Sequence, residues 1–234
     1  LILGFVIPLF RLISWAWISR DKASALVSIE MISNSLGLSI ISSISIVLIA
    51  LLLVFTSRYF NSYVINFSNR LATLGYSIPG AVIAIGILLF TAQINAVTNF
   101  VLTGSLVLLI FAYIVRYLAV ACQPINAGIE TNCDSLNNAS KSLGSSTYTS
   151  LRLVNIPLIK NTLITAGLLV FIDIIKELPL TLILRPFNFE TLSTATFDLS
   201  SQAQIIEASL PALCMIAVVL VPLVYLNYRL DNSR

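Results

Sequence analysis

The sequence contains no histidine and only three cysteines, Cys122, Cys133 and Cys214, in 234 residues. Without histidine, the commonest general base and metal ligand at neutral pH is missing. The cysteines show no Cys-x-x-Cys spacing, so neither a disulfide framework nor a zinc site is indicated. Charge is also scarce: 10% of residues are Asp, Glu, Lys or Arg, against roughly 25% in an ordinary soluble domain. The net charge is +3 and its basic residues are scattered, which gives no basic face for nucleic acid. A phosphate loop is excluded too, since Gly75 and Gly80 have its glycine spacing but Ala81 and Val82 stand where Lys and Ser/Thr are required. An intramembrane enzyme is disfavoured, because no serine or cysteine has a recognisable base nearby in sequence.

What is abundant is apolar: 58% of residues are hydrophobic and the mean hydropathy is +0.97. The chain reads as an all-α, polytopic membrane protein, since a membrane-crossing helix needs about 20 mostly apolar residues. Six transmembrane helices are predicted, near residues 1–18, 33–56, 78–93 and 100–117, from Thr162 onward, and near 208–228. Leu1 already lies inside an apolar run, so the sequence is expected to be a piece of a longer chain. In the second helix Ser35, Ser39 and Ser42 fall on one face, where small residues let a neighbouring helix approach closely. A polar wall of a transport path is the alternative there.

Residues 118–160 form the longest stretch without a membrane-length apolar run. Leu136, Ala139 and Leu143 share a helical face, Gly144 suits the left-handed residue that ends a helix, and Ser145, Ser146 or Thr147 can cap a second short helix. That second helix is expected to stop before Pro157. With this stretch on the cytoplasmic side, Arg58, Arg70, Arg116, Lys141, Arg152, Lys160, Arg229 and Arg234 lie there, against Arg20, Lys22 and Arg185 outside. This matches the bias of basic residues toward the cytoplasm. Arg11 falls inside the first helix and is expected to snorkel to the outer interface.

Within this stretch the spacing resembles the signature cytoplasmic loop of ABC importer membrane subunits, Glu-Ala-Ala, three residues, Gly, nine residues, Ile, any residue, Leu-Pro. Asn138 stands for the Glu, Ala139 and Ser140 for the alanines, Gly144 for the Gly, Val154 for the Ile, Ile156 for the Leu and Pro157 for the Pro. The resemblance implies one transmembrane domain over residues 1–234 with the type I importer permease (MetI-like) core, docked through this loop on a cytoplasmic ABC ATPase. It further implies that this chain is no enzyme and binds no cofactor, ATP being used by the partner subunit. The expected setting is a bacterial inner membrane, with lipid, an external substrate-binding protein and a second permease half, fused or separate, as partners. The docking loop and C-terminus are expected to be cytoplasmic.

A second, narrower resemblance is to the iron(III) importer permeases. It is carried by Lys176-Glu177-Leu178-Pro179, Leu184-Arg185-Pro186-Phe187, Thr191-Leu192 and the later Glu207-Ala208, Leu210-Pro211-Ala212, with Asn34-Ser35-Leu36 and the Gly75 to Gly80 stretch as further fits. It implies ferric iron as cargo and the second half of a fused permease; thiamine, sulfate, molybdate and polyamine remain alternatives. No set of hard oxygen donors for a tight iron site is visible, so recognition is expected to lie with the external protein, faced by Glu190, Asp198 or Glu207.

Asp173, Lys176, Glu177, Pro179 and Arg185 are the candidates for a translocation path or gate, since ionisable groups inside a membrane helix are costly and point to function. Asp173 and Lys176, three apart, can pair, whereas Lys176 and Glu177 point different ways. A helix starting at Thr162 would put Asp173 near mid-bilayer, and Pro179 would kink or end it. A purely structural ion pair is the competing reading. A secondary transporter or channel using these groups as an ion relay is the rival from another class, and it has no need of the docking loop.

Overall fold

The computed structural model describes residues 2–59, 63, 67, 74–98, 102–132, 144 and 146–231. All regular structure among them is helical. The first helix, α1 (Ile7–Ile18), follows a π-helical turn, and α2 is the long helix Ile29–Tyr59. A 3-10 turn at Gly75–Ser77 leads into α3 (Gly80–Thr98), followed by α4 (Leu106–Asn132). After the signature stretch come α5 (Lys160–Ile175), a short α6 (Pro179–Leu184), α7 (Leu192–Ser201) and α8 (Ile205–Asp231).

Three of these are long and apolar enough to cross a bilayer: Ile29–Arg58, Leu106–Glu130 and Ile205–Tyr228. A fourth span arises if Leu151–Leu158 and Lys160–Ile175, bent by 64°, count as one, and Leu3–Ile18 and Gly80–Ala96 are shorter apolar helices. Helices α2, α4 and α5 pack on one another, α8 lies against α1, α5 and α7, and α6 sits against α3. The seam among α2, α4 and α5 is built from Ile46, Ala50, Leu109, Ala112, Ala121, Ile125, Ala166 and Val170, all fully buried. Alanines at these positions let the helix backbones come close, which is how membrane helices gain packing where burial from water no longer drives them together. On the other side of α2, Ile40, Ile41, Ile44, Leu48 and Leu52 are exposed. Such a stripe would be an aggregation hazard in water and is ordinary against lipid.

Several expectations need correction. Helix α4 does not end near Tyr117 but runs to Asn132, with Pro124 inside it, so the loop does not begin at residue 118. Arg116 therefore belongs to a helix interior, where it meets Glu177, and drops out of the count of cytoplasmic loop charges. The helical path through Thr147–Ser150, Leu151–Asn155 and Ile156–Leu158 continues past Pro157. The proline occupies the first turn of the last piece, where a missing N–H costs nothing. Between the fifth and sixth predicted helices lies a further element, the capped helix α7. Helix α5 ends at Ile175, so Asp173 lies two residues before a helix end.

Gly75 fixes how closely its turn approaches α4. A Cβ on buried Gly75 would run into the Val115 carbonyl oxygen, whereas one on Gly86 meets nothing within 4 Å. Gly75→Ala is expected to destabilise by about 1–3 kcal/mol through overpacking, while Gly86→Ala gains up to about 1 kcal/mol of helix propensity. Thermal unfolding of the purified protein in detergent separates the two.

Candidate functional site

The chain breaks between Ile175 and Pro179, and the break is where charged side chains meet. Pro179 opens α6 in its first turn and has no N–H with which to continue the preceding helix. A helix end in an apolar surround leaves N–H and C=O groups without partners, and Glu177 supplies most of what is needed. Its backbone N–H donates to the Ile174 carbonyl at 3.0 Å. Its own carbonyl accepts from the Thr181 hydroxyl at 2.8 Å and from the Ser193 hydroxyl at 3.0 Å. Its carboxylate Oε1 accepts the Leu180 N–H at 3.2 Å.

The same carboxylate is the charge centre of the site. Glu177 is 6% exposed; its Oε2 accepts the Tyr117 hydroxyl and lies 3.6 Å from Arg116 Nε. The Arg116 guanidinium stacks over the Tyr117 ring, 5.6 Å from its centroid. Gly80 makes this possible: a Cβ there would overlap Arg116 Nη1 and sit 2.8 Å from Glu177 Oε1. Tyr113 extends the cluster through a 2.6 Å bond to Thr181 Oγ1. The sequence offers Arg116 only as a cytoplasmic charge and marks none of Tyr117, Tyr113, Thr181 and Ser193 as site residues. The available signal was an arginine embedded in an apolar 27-residue helix, which by itself asks for a buried partner.

The other candidates separate from this centre. Lys176 Nζ pairs with Asp173 Oδ1 at 2.8 Å as the spacing predicts, with the lysine side chain 59% exposed. Arg185 lies past α6, where Nη1 donates to Thr194 Oγ1 at 3.0 Å and Nη2 reaches Asp198 Oδ2 at 3.2 Å. The start of α7 is fixed by a capping box between Thr191 and Thr194. It is tied to α2 by Leu192 N–H donating to Ser35 Oγ at 2.8 Å and by Asn34 Nδ2 donating to the Glu190 carbonyl at 3.1 Å. Of the residues expected to face an external partner, Asp198 is thus paired with Arg185, and Glu207 with Lys22 at 3.1 Å.

In the signature stretch, Gly144 is exposed and has φ +77°, the left-handed conformation that glycine adopts without strain. Ser146 then caps the next helix, its Oγ accepting the Thr149 N–H at 3.2 Å. Val154 and Ile156 are half-buried and Pro157 exposed. Asn138, Ala139 and Ser140 lie outside the described residues.

Removing one member of a buried ion pair strands the other, at a cost of about 3–5 kcal/mol. Glu177→Ala is therefore expected to lower the thermal stability of the protein in detergent by an amount in that range. Lys176→Ala breaks a largely exposed pair and should stay within about 1 kcal/mol. Equal effects of the two substitutions would contradict this geometry.

Comparison with known proteins gives a consistent family. Residues 46–233 match the model of the binding-protein-dependent transport system inner membrane component. The chain is 30% identical over 218 residues to the Fe(3+)-transport system permease protein FbpB 2 of Haemophilus influenzae, covering 92% of this chain and 42% of that protein. It is 26% identical over 144 residues to a putative 2-aminoethylphosphonate transport system permease protein, PhnV, of Salmonella typhimurium, covering 62% of this chain and 53% of that protein. The chain thus spans about half or less of the length of these relatives. The fold is shared with bacterial alginate ABC transporter structures: one, in complex with its alginate-bound periplasmic protein, has TM-score 0.75 at 16% identity over 97% of this chain and 88% of that one. A second has TM-score 0.76 at 14% identity, over 97% and 90%. The matched stretch runs from within α2 through the helix break and past the end of α8, and on that basis the chain belongs to the inner membrane permease family of binding-protein-dependent ABC importers.

Proposed function

We propose that this chain forms part of the translocation path of an ATP-driven importer for ferric iron and receives the force of ATP hydrolysis through residues 134–157. The observation that carries the coupling is the left-handed turn at exposed Gly144 followed by the helix capped by Ser146. A glycine there presents bare backbone, against which a partner can seat closely. The helical segment that follows bends by 64° directly into α5, and α5 ends at the break held by Glu177. A push at the turn would thus reach the charged cluster along two rigid pieces.

Iron is favoured because the identity to the Fe(3+) permease extends over 92% of the chain, whereas that to the phosphonate permease covers 62%. The fuller arrangement has six membrane helices on the MetI-like core. The docking turn and C-terminus face the cytoplasm and a separate ABC ATPase, and a substrate-binding protein delivers cargo outside. A second permease half, fused or separate, completes the path. In this reading Asp173, Lys176, Glu177, Pro179 and Arg185 belong to the path or its gate.

The test is radioactive ferric iron uptake in a strain lacking the gene, restored with the full-length protein or its variants. The wild-type sequence should restore uptake. Gly144→Asp, which adds a charged side chain at a positive-φ turn, should hold uptake at the background of the deletion strain, and the ATPase should no longer copurify. Normal iron uptake in the deletion strain with loss of phosphonate or thiamine uptake would overturn the cargo. Intact uptake with Gly144→Asp would overturn the coupling.

A further inference from the structure

Beside the helix break, between α2, α4 and the start of α7, lies a small cavity of about 10 Å³. That is about the smallest space that admits one water molecule. It is too small for a hydrated cation, a phosphonate or a sugar. Six of the residues lining it carry hydroxyls, Ser35, Ser39, Tyr113, Thr181, Thr191 and Ser193, and each of the six is at most 6% exposed. Ile174 and Ile175, the last two residues of α5, complete the wall beside the break.

Where the hydroxyl protons go can be counted. Thr181 and Ser193 both donate to the Glu177 carbonyl, and Ser35 donates to the Met31 carbonyl at 2.9 Å. With the Thr181 proton committed, Tyr113 must be the donor in their 2.6 Å bond. Thr191 has Ser193 Oγ at 3.1 Å and Thr194 Oγ1 at 3.2 Å. Ser39 is the exception: it is 1% exposed, and its hydroxyl has no hydrogen bond among the described residues. Serine in a helix commonly bonds back to the preceding turn, as Ser35 does, so an unreturned hydroxyl facing a polar cavity calls for a partner inside it. The acceptors are at hand, since a hydroxyl oxygen carries two lone pairs. Tyr113 Oη keeps a free one after donating, and Ser35 Oγ keeps a second after accepting the Leu192 N–H.

We infer that this cavity is a resident water site. The water accepts the Ser39 proton and donates to Tyr113 Oη and Ser35 Oγ, making the three bonds typical of a buried water. It joins α2 to α4 directly beside Thr181, so the break is held on one side by the Glu177 ion pair and on the other by a hydrated contact. A bridging water is nearly as favourable as a direct hydrogen bond and is tethered to neither helix, so it can change partners as helices shift. This site does not depend on which cargo the protein carries.

Radiolytic hydroxyl footprinting of the full-length protein in lipid nanodiscs reads the site directly, because radicals formed at a bound water label the adjacent ring. Tyr113 should be labelled despite its burial, several-fold faster than Tyr117, which is also buried but does not line the cavity. Ser39→Val, which fills the cavity with methyl groups, should reduce Tyr113 labelling several-fold. A high-resolution map of the wild-type protein, independent of any variant, should show one density peak at hydrogen-bond distance, about 2.7–3.2 Å, from Ser39 Oγ and Tyr113 Oη. A dry cavity in that map, Tyr113 labelling no faster than Tyr117, or labelling unchanged by Ser39→Val would each overturn the inference.

Discussion

The buried carboxylate of Glu177 is the constraint on which the broken helix depends. A span cannot be interrupted in hydrocarbon without finding new partners for the backbone groups that the interruption frees. At this break a single residue answers three of them: its N–H closes the end of α5, its carbonyl gathers two hydroxyls, and its side chain caps the Leu180 amide. A carboxylate so placed is itself expensive to bury. The Arg116 cation and the Tyr117 hydroxyl from α4 offset that cost, so the connection that stabilises the break also locks it to the neighbouring helix.

This arrangement shapes sequence choices some distance away. Gly80 is small because the Arg116 head and Glu177 carboxylate fill the space its side chain would take, and Gly75 because α4 backbone does. Thr181 and Ser193 come from two different helices yet meet on one carbonyl, drawing α6 and α7 together over the break. The Thr191 capping box then starts α7 at the height where Ser35 of α2 receives the Leu192 amide. A rigid frame is thus assembled around the break, and the bent segment from the Gly144 turn leads into it. The water site beside Ser39 gives the same frame one contact that can be remade without breaking the ion pair.

Local relationships were readable from the sequence, and long-range ones were not. The Asp173–Lys176 pair follows from helical spacing, the left-handed turn at Gly144 from the conformational freedom of glycine, and the break from Pro179. The buried face Ser35, Ser39 and Ser42 also follows from periodicity. The end of α4 was placed too early because Arg116 reads locally as a charge at a membrane boundary; only its partner 61 positions away, on another helix, makes it an interior residue. Pro157 misled in the opposite sense, since a proline stops a helix that precedes it but fits the first turn of one that follows. The role of Glu177 could not be separated from that of Lys176 by sequence alone. Both are charged and adjacent, and which of them turns inward is decided by the face of α4 that α5 meets. The signature spacing carried the family although its first three matched positions lie outside the described residues, because spacing survives where identity has drifted.

The central claim, that Arg116 and Glu177 act as one unit across two helices, is tested most directly by a double-mutant cycle of Arg116→Met and Glu177→Gln. Stability is measured by unfolding of the full-length protein in the same detergent. The account predicts strong non-additivity, with the double variant more stable than the sum of the single losses requires by about 1–3 kcal/mol, because each single change leaves the other charge buried alone. Additive losses, within about 0.5 kcal/mol, would contradict it.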